Sequence, residues 1–369
     1  MSVPGFYFFL LLSLTASAGD LQTPSAAPTC GDCHRAIYDG WKNSAHATSM
    51  ESWLFQDALK LAETEFGSPA RKVCLACHSP VAVQLDDLDL VRKVSWEGVT
   101  CDYCHSIRDV STAAINPKAR VEFSQVKSGP SRDVASPAHG TVFSLVHTTS
   151  LACVSCHEFR NALGLPVLTT YTEWKNSRYA KEEQGCQACH MYTVRGKVVD
   201  PRVKQTESKE INLHQMPGSH SIDQLNRAIK ASLNTERAGD QLTIIVKVKN
   251  AGAGHHVPTG SPLRQLILEV RAEPYGGLHY SEERIYTRVV ADQNGVPLQR
   301  EHFAFLKGAK VLSDTRLAAD EVRTESFSFK VPRGRQVHVE ANFYYYYSPV
   351  SDTGARGKVK FLSFSRLVP

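Results

Sequence analysis

"CGDCH" occupies Cys30–His34. The same form returns as "CLACH" at Cys74–His78, "CDYCH" at Cys101–His105, "CVSCH" at Cys153–His157 and "CQACH" at Cys186–His190. The five motifs use all ten cysteines of the 369-residue chain. With 15 histidines in 369 residues, one after every second cysteine arises by chance about once in ten million sequences. Exported chains use even cysteine counts for disulfides, paired C-x-x-C can hold zinc, and a single C-x-x-C can be a redox dithiol. None of these requires an imidazole directly after each pair.

C-x-x-C-H is the attachment signature of c-type haem. Two thiols bond to the two vinyl groups of one porphyrin, and the adjoining imidazole ligates the iron from one face. The motifs therefore predict five covalently bound haems c. They are attached through Cys30, Cys33, Cys74, Cys77, Cys101, Cys104, Cys153, Cys156, Cys186 and Cys189, with His34, His78, His105, His157 and His190 as proximal ligands. The formal net charge of +5 would by itself suggest an anionic partner. Haem propionates, about ten for five haems, cancel that inference, and no nucleic-acid motif supports it.

A carrier haem takes a second axial ligand, usually His or Met. Outside the motifs and the initiator there are three methionines (Met50, Met191, Met216) and ten histidines. That ratio favours imidazole on both faces of most irons. The distal candidates are His46 in "NSAHA", His139 in "SPAHG", His214 and His220 at the two ends of "HQMPGSH", and His255 in the glycine-rich "GAGHHVPTG". His147, six residues before Cys153, competes with His139, and His256 with His255. His279, His302 and His338 lie in strand-like contexts and read as ordinary packed or surface residues. If the segment around Trp41 is helical, Tyr38, Lys42 and His46 form an i, i+4, i+8 stripe.

The chain opens with an apolar run from Phe6 to Leu14 followed by Ala16-Ser17-Ala18. This reads as a signal peptide over 1–18, too short to span a bilayer. No later stretch is apolar enough for a transmembrane anchor, so an exported protein is expected, periplasmic or at the cell surface. Residues 19–220 form the pentahaem region, mostly helical or irregular. At about forty residues per haem the porphyrins must serve as its core, and folding should depend on them. "SIDQLNRAIKASL", Ser221–Leu233, predicts a helix with Ser221 as its N-cap, within a linker over 221–237. From 238 to 369, stretches such as "QLTIIVKVKN", "RQLILEVRA" and "QVHVEANFYYYY" alternate and are separated by turn residues. They predict an antiparallel β-sandwich of immunoglobulin-like kind. The expected fold class is thus α + β in two domains.

One phrase occurs twice: "YDGWKNSAHA", Tyr38–Ala47, and "YTEWKNSRYA", Tyr171–Ala180, with His46 in the first replaced by Tyr179 in the second. Tyr179 is expected to pack on a haem or to bind a propionate without ligating iron. With "CGDCHRAIYDGWKNSAHATSM", "CVSCHE", "YTEWKNSRYAKEEQGCQACHM" and "HQMPGSH…NAGAGHHVPTGSPLR", the chain resembles the multihaem cytochromes c. Within them it is similar to the group containing hydroxylamine oxidoreductase and the tetrahaem cytochrome that accepts its electrons. The resemblance implies close-packed haem pairs that pass electrons along the chain, and His46 as distal ligand to a haem other than its sequence neighbour. It also implies that the strand region is a β-domain of the kind appended to such exported cytochromes. Three functions follow as expectations. The first is an electron carrier between redox partner proteins. The second is a haem oxidoreductase of nitrogen or sulfur compounds with one open iron. The third is a homo-oligomer or subunit of an extracellular cytochrome filament. Pyridine haemochrome analysis combined with intact mass is expected to give five haems per chain; any other count overturns the reading.

Overall fold

The structure is a computed structural model that describes residues 23–347 and 357–369. The signal-peptide reading at 1–18 falls outside the described residues. No helix among the described residues is long and apolar enough to cross a membrane.

From Ala27 to His220 the chain makes short helices joined by loops and four two-stranded ribbons. These are β1 (Ile107–Ser111) with β2 (Lys118–Val121), β3 (Val126–Gly129) with β4 (Gly140–Phe143), β5 (Phe159–Arg160) with β6 (Pro166–Leu168), and β7 (Thr193–Gly196) with β8 (Lys209–Asn212). Each C-x-x-C-H motif sits on or at the end of a short helix: Ala27–Cys33, Ser68–His78, Cys101–His105, Leu151–His157 and Cys186–His190. Helical winding puts residues i, i+3 and i+4 on one face, so each pair of thiols and its imidazole project together. Trp53–Phe66 is the longest of these helices; it buries Phe55, Leu59 and Ala62 and ends at Gly67. Apolar side chains here form only small clusters, one around Val81, Tyr103 and Val154 and another around Met50, Phe55 and Leu75. Between them runs one continuous cavity of about 1520 Å³.

The remainder is all-β. The strands are β9 (Ile229–Ala238), β10 (Gln241–Asn250), β11 (Gln265–Pro274), β12 (Tyr280–Ala291), β13 (Lys310–Asp314), β14 (Val322–Lys330), β15 (Val337–Tyr346) and β16 (Lys358–Val368). They form a three-stranded sheet, β14-β10-β9, and a five-stranded sheet, β13-β12-β11-β15-β16, both antiparallel. Alternate residues of β10 (Leu242, Ile244, Val246, Val248) meet those of β11 (Leu266, Leu268, Val270) and β15 (Val339, Ala341, Phe343) in one shared core. This is a two-layer sandwich.

Two local expectations need correction. The helix after Ser221 ends at Ala228, not Leu233, and β9 begins at Ile229, ahead of the expected boundary at 238. Ser221 does cap it, accepting from the Gln224 N–H. Ile229 and Leu233 suit a helical stripe, but with Ala231 they also suit a period of two. Ten paired positions against β10 decide for the strand. The helix preceding His46 stops at Trp41, so His46 hangs from a turn rather than continuing a stripe with Tyr38.

The two regions dock. Leu165 and Val167 pack against Val290, Leu298 and Ala304. Asn161 Nδ2 donates to the Gly308 carbonyl at 2.7 Å, and Arg178 Nε pairs with Asp320 at 2.6 Å. Phe343 is wholly buried between the sheets. Phe343→Ala is expected to cost about 3–5 kcal/mol through the cavity it leaves, read as a lowered denaturant midpoint of β-sheet circular dichroism.

Candidate functional site

All fifteen cysteines and histidines of the five motifs line this cavity, as do His46, His139, His147, His214, His220, His255, His256 and His302. None of the ten cysteines is joined in a disulfide. No cluster of three or more His, Cys, Asp or Glu suited to a bare ion occurs among the described residues. Thiols of different motifs lie close enough to interact: Cys30 with Cys101, Cys77 with Cys156, and Cys153 with Cys186. The sites therefore adjoin as first with third, second with fourth, and fourth with fifth.

The imidazoles carry the clearest pattern. His34 and His139 have ring centres 6.2 Å apart, His157 and His46 6.2 Å, His105 and His214 6.2 Å, and His190 and His255 6.3 Å. Two metal–imidazole bonds of about 2 Å laid end to end hold ring centres roughly 6 Å apart. Each pair thus leaves room for one iron. A ligating histidine normally donates its other ring N–H to a fixed acceptor, which sets the tautomer and aims Nε2 at the metal. Six of these eight do so through a backbone carbonyl. His34 Nδ1 meets Val198 O (2.8 Å), His105 meets Ser128 O (2.6 Å), and His190 meets Pro217 O (2.6 Å). On the distal side His139 meets Gly140 O (3.0 Å), His214 meets Asn212 O (2.7 Å), and His255 meets His256 O (2.9 Å). The Nδ1 of His46 faces the Met216 thioether instead. Burial pulls His46 and His214 down to about 4 and His157 to about 3, so these rings are neutral, the form that ligates. The residues present fit haem iron at four sites with an imidazole on each side.

Loops position the distal rings. Gly98 lies against the His46 carbonyl, where a Cβ would come within 2.2 Å; its φ of 71° and the Val99 N–H bond to that carbonyl hold the turn in place. "HQMPG" serves three sites at once: His214 faces His105, Met216 touches His46, and the Pro217 carbonyl orients His190. His214 and Met216 both have positive φ, 52° and 46°, a conformation that costs energy outside glycine. The sequence marked Met216 only as a minor candidate for an axial ligand, not as a neighbour of His46, and offered no signal for these carbonyls.

Other histidines are placed differently. His147 stacks on His105 at 5.3 Å, too close for an intervening iron, and its Nε2 is occupied by the Cys104 carbonyl while its Nδ1 has no partner. His220, the remaining distal candidate, faces no motif histidine among the described residues. The chain turns there into helix Ile222–Ala228, and the ring stacks on Tyr347 at 4.5 Å. His302 is on helix Glu301–Leu306, not a strand, and contacts Glu65 at 3.3 Å. His279 is exposed beside Glu273.

His78 stands apart. No second imidazole faces it among the described residues. Phe55 stacks on its ring at 3.8 Å, and its buried Nδ1 lacks a partner. Met50, Leu59, Leu75 and Ala82 surround this site with apolar groups, and burial lowers His78 to about 4.

The repeated phrase recurs in three dimensions. Tyr38 and Trp41 rings lie 5.8 Å apart at 36°, Tyr171 and Trp174 5.5 Å apart at 40°. Ser44 and Ser177 donate their N–H to the Trp carbonyls at 2.8 and 2.9 Å. Tyr179 lines the cavity, but its hydroxyl donates to Ala251 O at 3.1 Å, leaving it no proton for a propionate. Its ring packs on Gly254, directly before His255.

Residues 29–106, which hold three of the five motifs, match the family model "Cytochrome c554 and c-prime". No curated protein matches the chain. Among solved structures, the penta-heme cytochrome c552 from Thermochromatium tepidum is 23% identical, covering 94% of this chain and 99% of that one, with a TM-score of 0.74. The two share a fold. The putative ApaA protein from Bordetella pertussis aligns over 37% of this chain and 90% of its own at 10% identity, with a TM-score of 0.20. The family match thus concerns the region of the first three motifs, and the structural likeness concerns the fold of nearly the whole chain. In the holoprotein, His214→Ala is expected to convert one low-spin ferric haem to high-spin, whereas His147→Ala leaves the low-spin population unchanged. Electron paramagnetic resonance distinguishes the two, and the reverse result would exchange their roles.

Proposed function

We propose that the protein is an exported multihaem cytochrome c that carries electrons through five haems c between redox partner proteins. The observation that carries this reading is the set of four motif histidines, each facing a second imidazole across a gap the width of an iron. Haem iron supplies reversible one-electron exchange; the chain supplies the ligands and their orientation. Two imidazoles per iron favour a low potential and little change of geometry between oxidation states. The carbonyls of Val198, Ser128, Asn212 and Pro217 hold the rings in place and increase their basicity. Neighbouring thiols of different motifs would bring the attached groups side by side, the first with the third, the second with the fourth, and the fourth with the fifth. The signal-peptide reading places this carrier in the periplasm or at the cell surface. The immunoglobulin-like character of the sandwich is part of the same proposal. So is a homo-oligomeric or filament form, which the mass of the purified protein in solution tests.

A second reading is favoured by one observation. His78 has Phe55 beside it and no imidazole opposite among the described residues, so one iron would stay open within an apolar surround. An open haem next to an electron store suits an oxidoreductase of small nitrogen or sulfur compounds. The oxidised protein is expected to show four low-spin haems and one stoichiometric high-spin haem. A change in the high-spin signal on adding nitrite, hydroxylamine or sulfite supports the enzyme. An inert high-spin signal leaves the carrier, and five low-spin haems would remove the open site.

A further inference from the structure

His255 comes from the β-sandwich, while His190, which it faces at 6.3 Å, comes from the motif-bearing region. The fifth site is therefore completed only where the two regions meet. One buried carboxylate of the motif-bearing region holds the incoming loop. Glu173 lies on helix Thr170–Lys175 in the second copy of the repeated phrase, with its side chain 6% exposed. Its Oε2 accepts the His256 backbone N–H at 3.1 Å and the Thr259 hydroxyl at 3.2 Å. Its Oε1 accepts the Thr169 hydroxyl at 2.6 Å and pairs with Arg316 at 2.8 Å. Arg316, equally buried, also binds Asp314 at 2.7 Å.

The connection to the metal site runs through one residue. His256 gives its N–H to Glu173 and its carbonyl to the Nδ1 of His255. Fixing the His256 peptide therefore fixes the rotation of the ring that faces His190. Apart from Thr169, every partner of Glu173 named above belongs to the sandwich. Trp174 and Tyr179, from the same phrase, close on Gly254, where a Cβ would lie 3.1 Å from each.

We propose that Glu173 is a positioning residue for the fifth site, making its second axial ligand conditional on docking of the sandwich. With the regions docked, His255 faces His190. When they part, the imidazole leaves with the sandwich and the coordination position becomes open to a small external ligand such as cyanide or free imidazole. The proposal rests on the reading of His255 as the partner of His190.

The test uses the full-length holoprotein. His255→Ala sets the reference and is expected to reduce the low-spin ferric haems from four to three. Glu173→Ala is expected to give the same loss, restored by added imidazole. Thr259→Val removes one hydrogen bond to the carboxylate together with the 2.8 Å contact between the Thr259 and Thr170 hydroxyls, and is expected to keep the fold. It is expected to speed cyanide binding at one low-spin haem about tenfold, the scale of a hydrogen bond to a charged group. Four intact low-spin haems in Glu173→Ala, with only a lowered melting temperature, would show a structural role and overturn the proposal. An unchanged cyanide rate in Thr259→Val would do the same, and that variant decides alone if Glu173→Ala does not accumulate. Four low-spin haems in His255→Ala would instead refute the ligand reading on which the proposal stands.

Discussion

An imidazole whose Nδ1 is held by a backbone carbonyl is the interaction on which this molecule turns. The carbonyl fixes the tautomer, the tautomer aims Nε2, and the aimed nitrogen meets a second one across a gap of fixed width. His34, His105, His190, His139, His214 and His255 all follow this rule. His147 breaks it by spending Nε2 on the Cys104 carbonyl, and it sits too close to His105 for an iron between them. These hydrogen bonds set six of the eight facing rings apart from His147, while His46, which faces His157, turns its Nδ1 to the Met216 thioether instead.

This rule also explains why the motif-bearing region is so irregular. Its helices are short because each needs only enough turns to present two thiols and an imidazole. Its loops are long because their carbonyls must reach rings far away in sequence: Val198 is 164 residues from His34, and Pro217 is 27 from His190. The interior is a lined cavity with small apolar clusters at its margins, in contrast to the continuous core of the sandwich. Such a lined cavity is what a region held together by prosthetic groups would present, whereas the sandwich gains its own stability from apolar burial.

The repeated phrase shows one packing device put to two uses. Both copies set a tilted Tyr–Trp pair and a serine turn. The first ends in His46, which faces His157. The second ends in Tyr179, which packs on the loop that brings His255 to His190. The exchanged histidine is thus not missing from the fifth site, because the sandwich supplies an imidazole there. The buried Glu173–Arg316 pair at this junction is a costly arrangement unless both partners stay in place, which ties the two regions to one relative position.

The sequence by itself carried the proposed cofactor chemistry, since five C-x-x-C-H units leave no cysteine for anything else and their spacing is local. It also made the sandwich strands legible where apolar residues alternate, as in Gln241–Asn250 and Val337–Tyr346. It failed at Ile229–Leu233, where apolar positions satisfied a helical and a strand period together and pairing with β10 decided. It proposed five distal histidines but could not choose among them. His214 and His220 stand in one short phrase, yet one faces His105 and the other stacks on Tyr347. Only the tertiary structure decided those pairings and left Phe55 beside His78. The physical reason is that a second axial ligand is a contact between distant segments, fixed by where loops dock and which carbonyl they offer, and no local spacing encodes that.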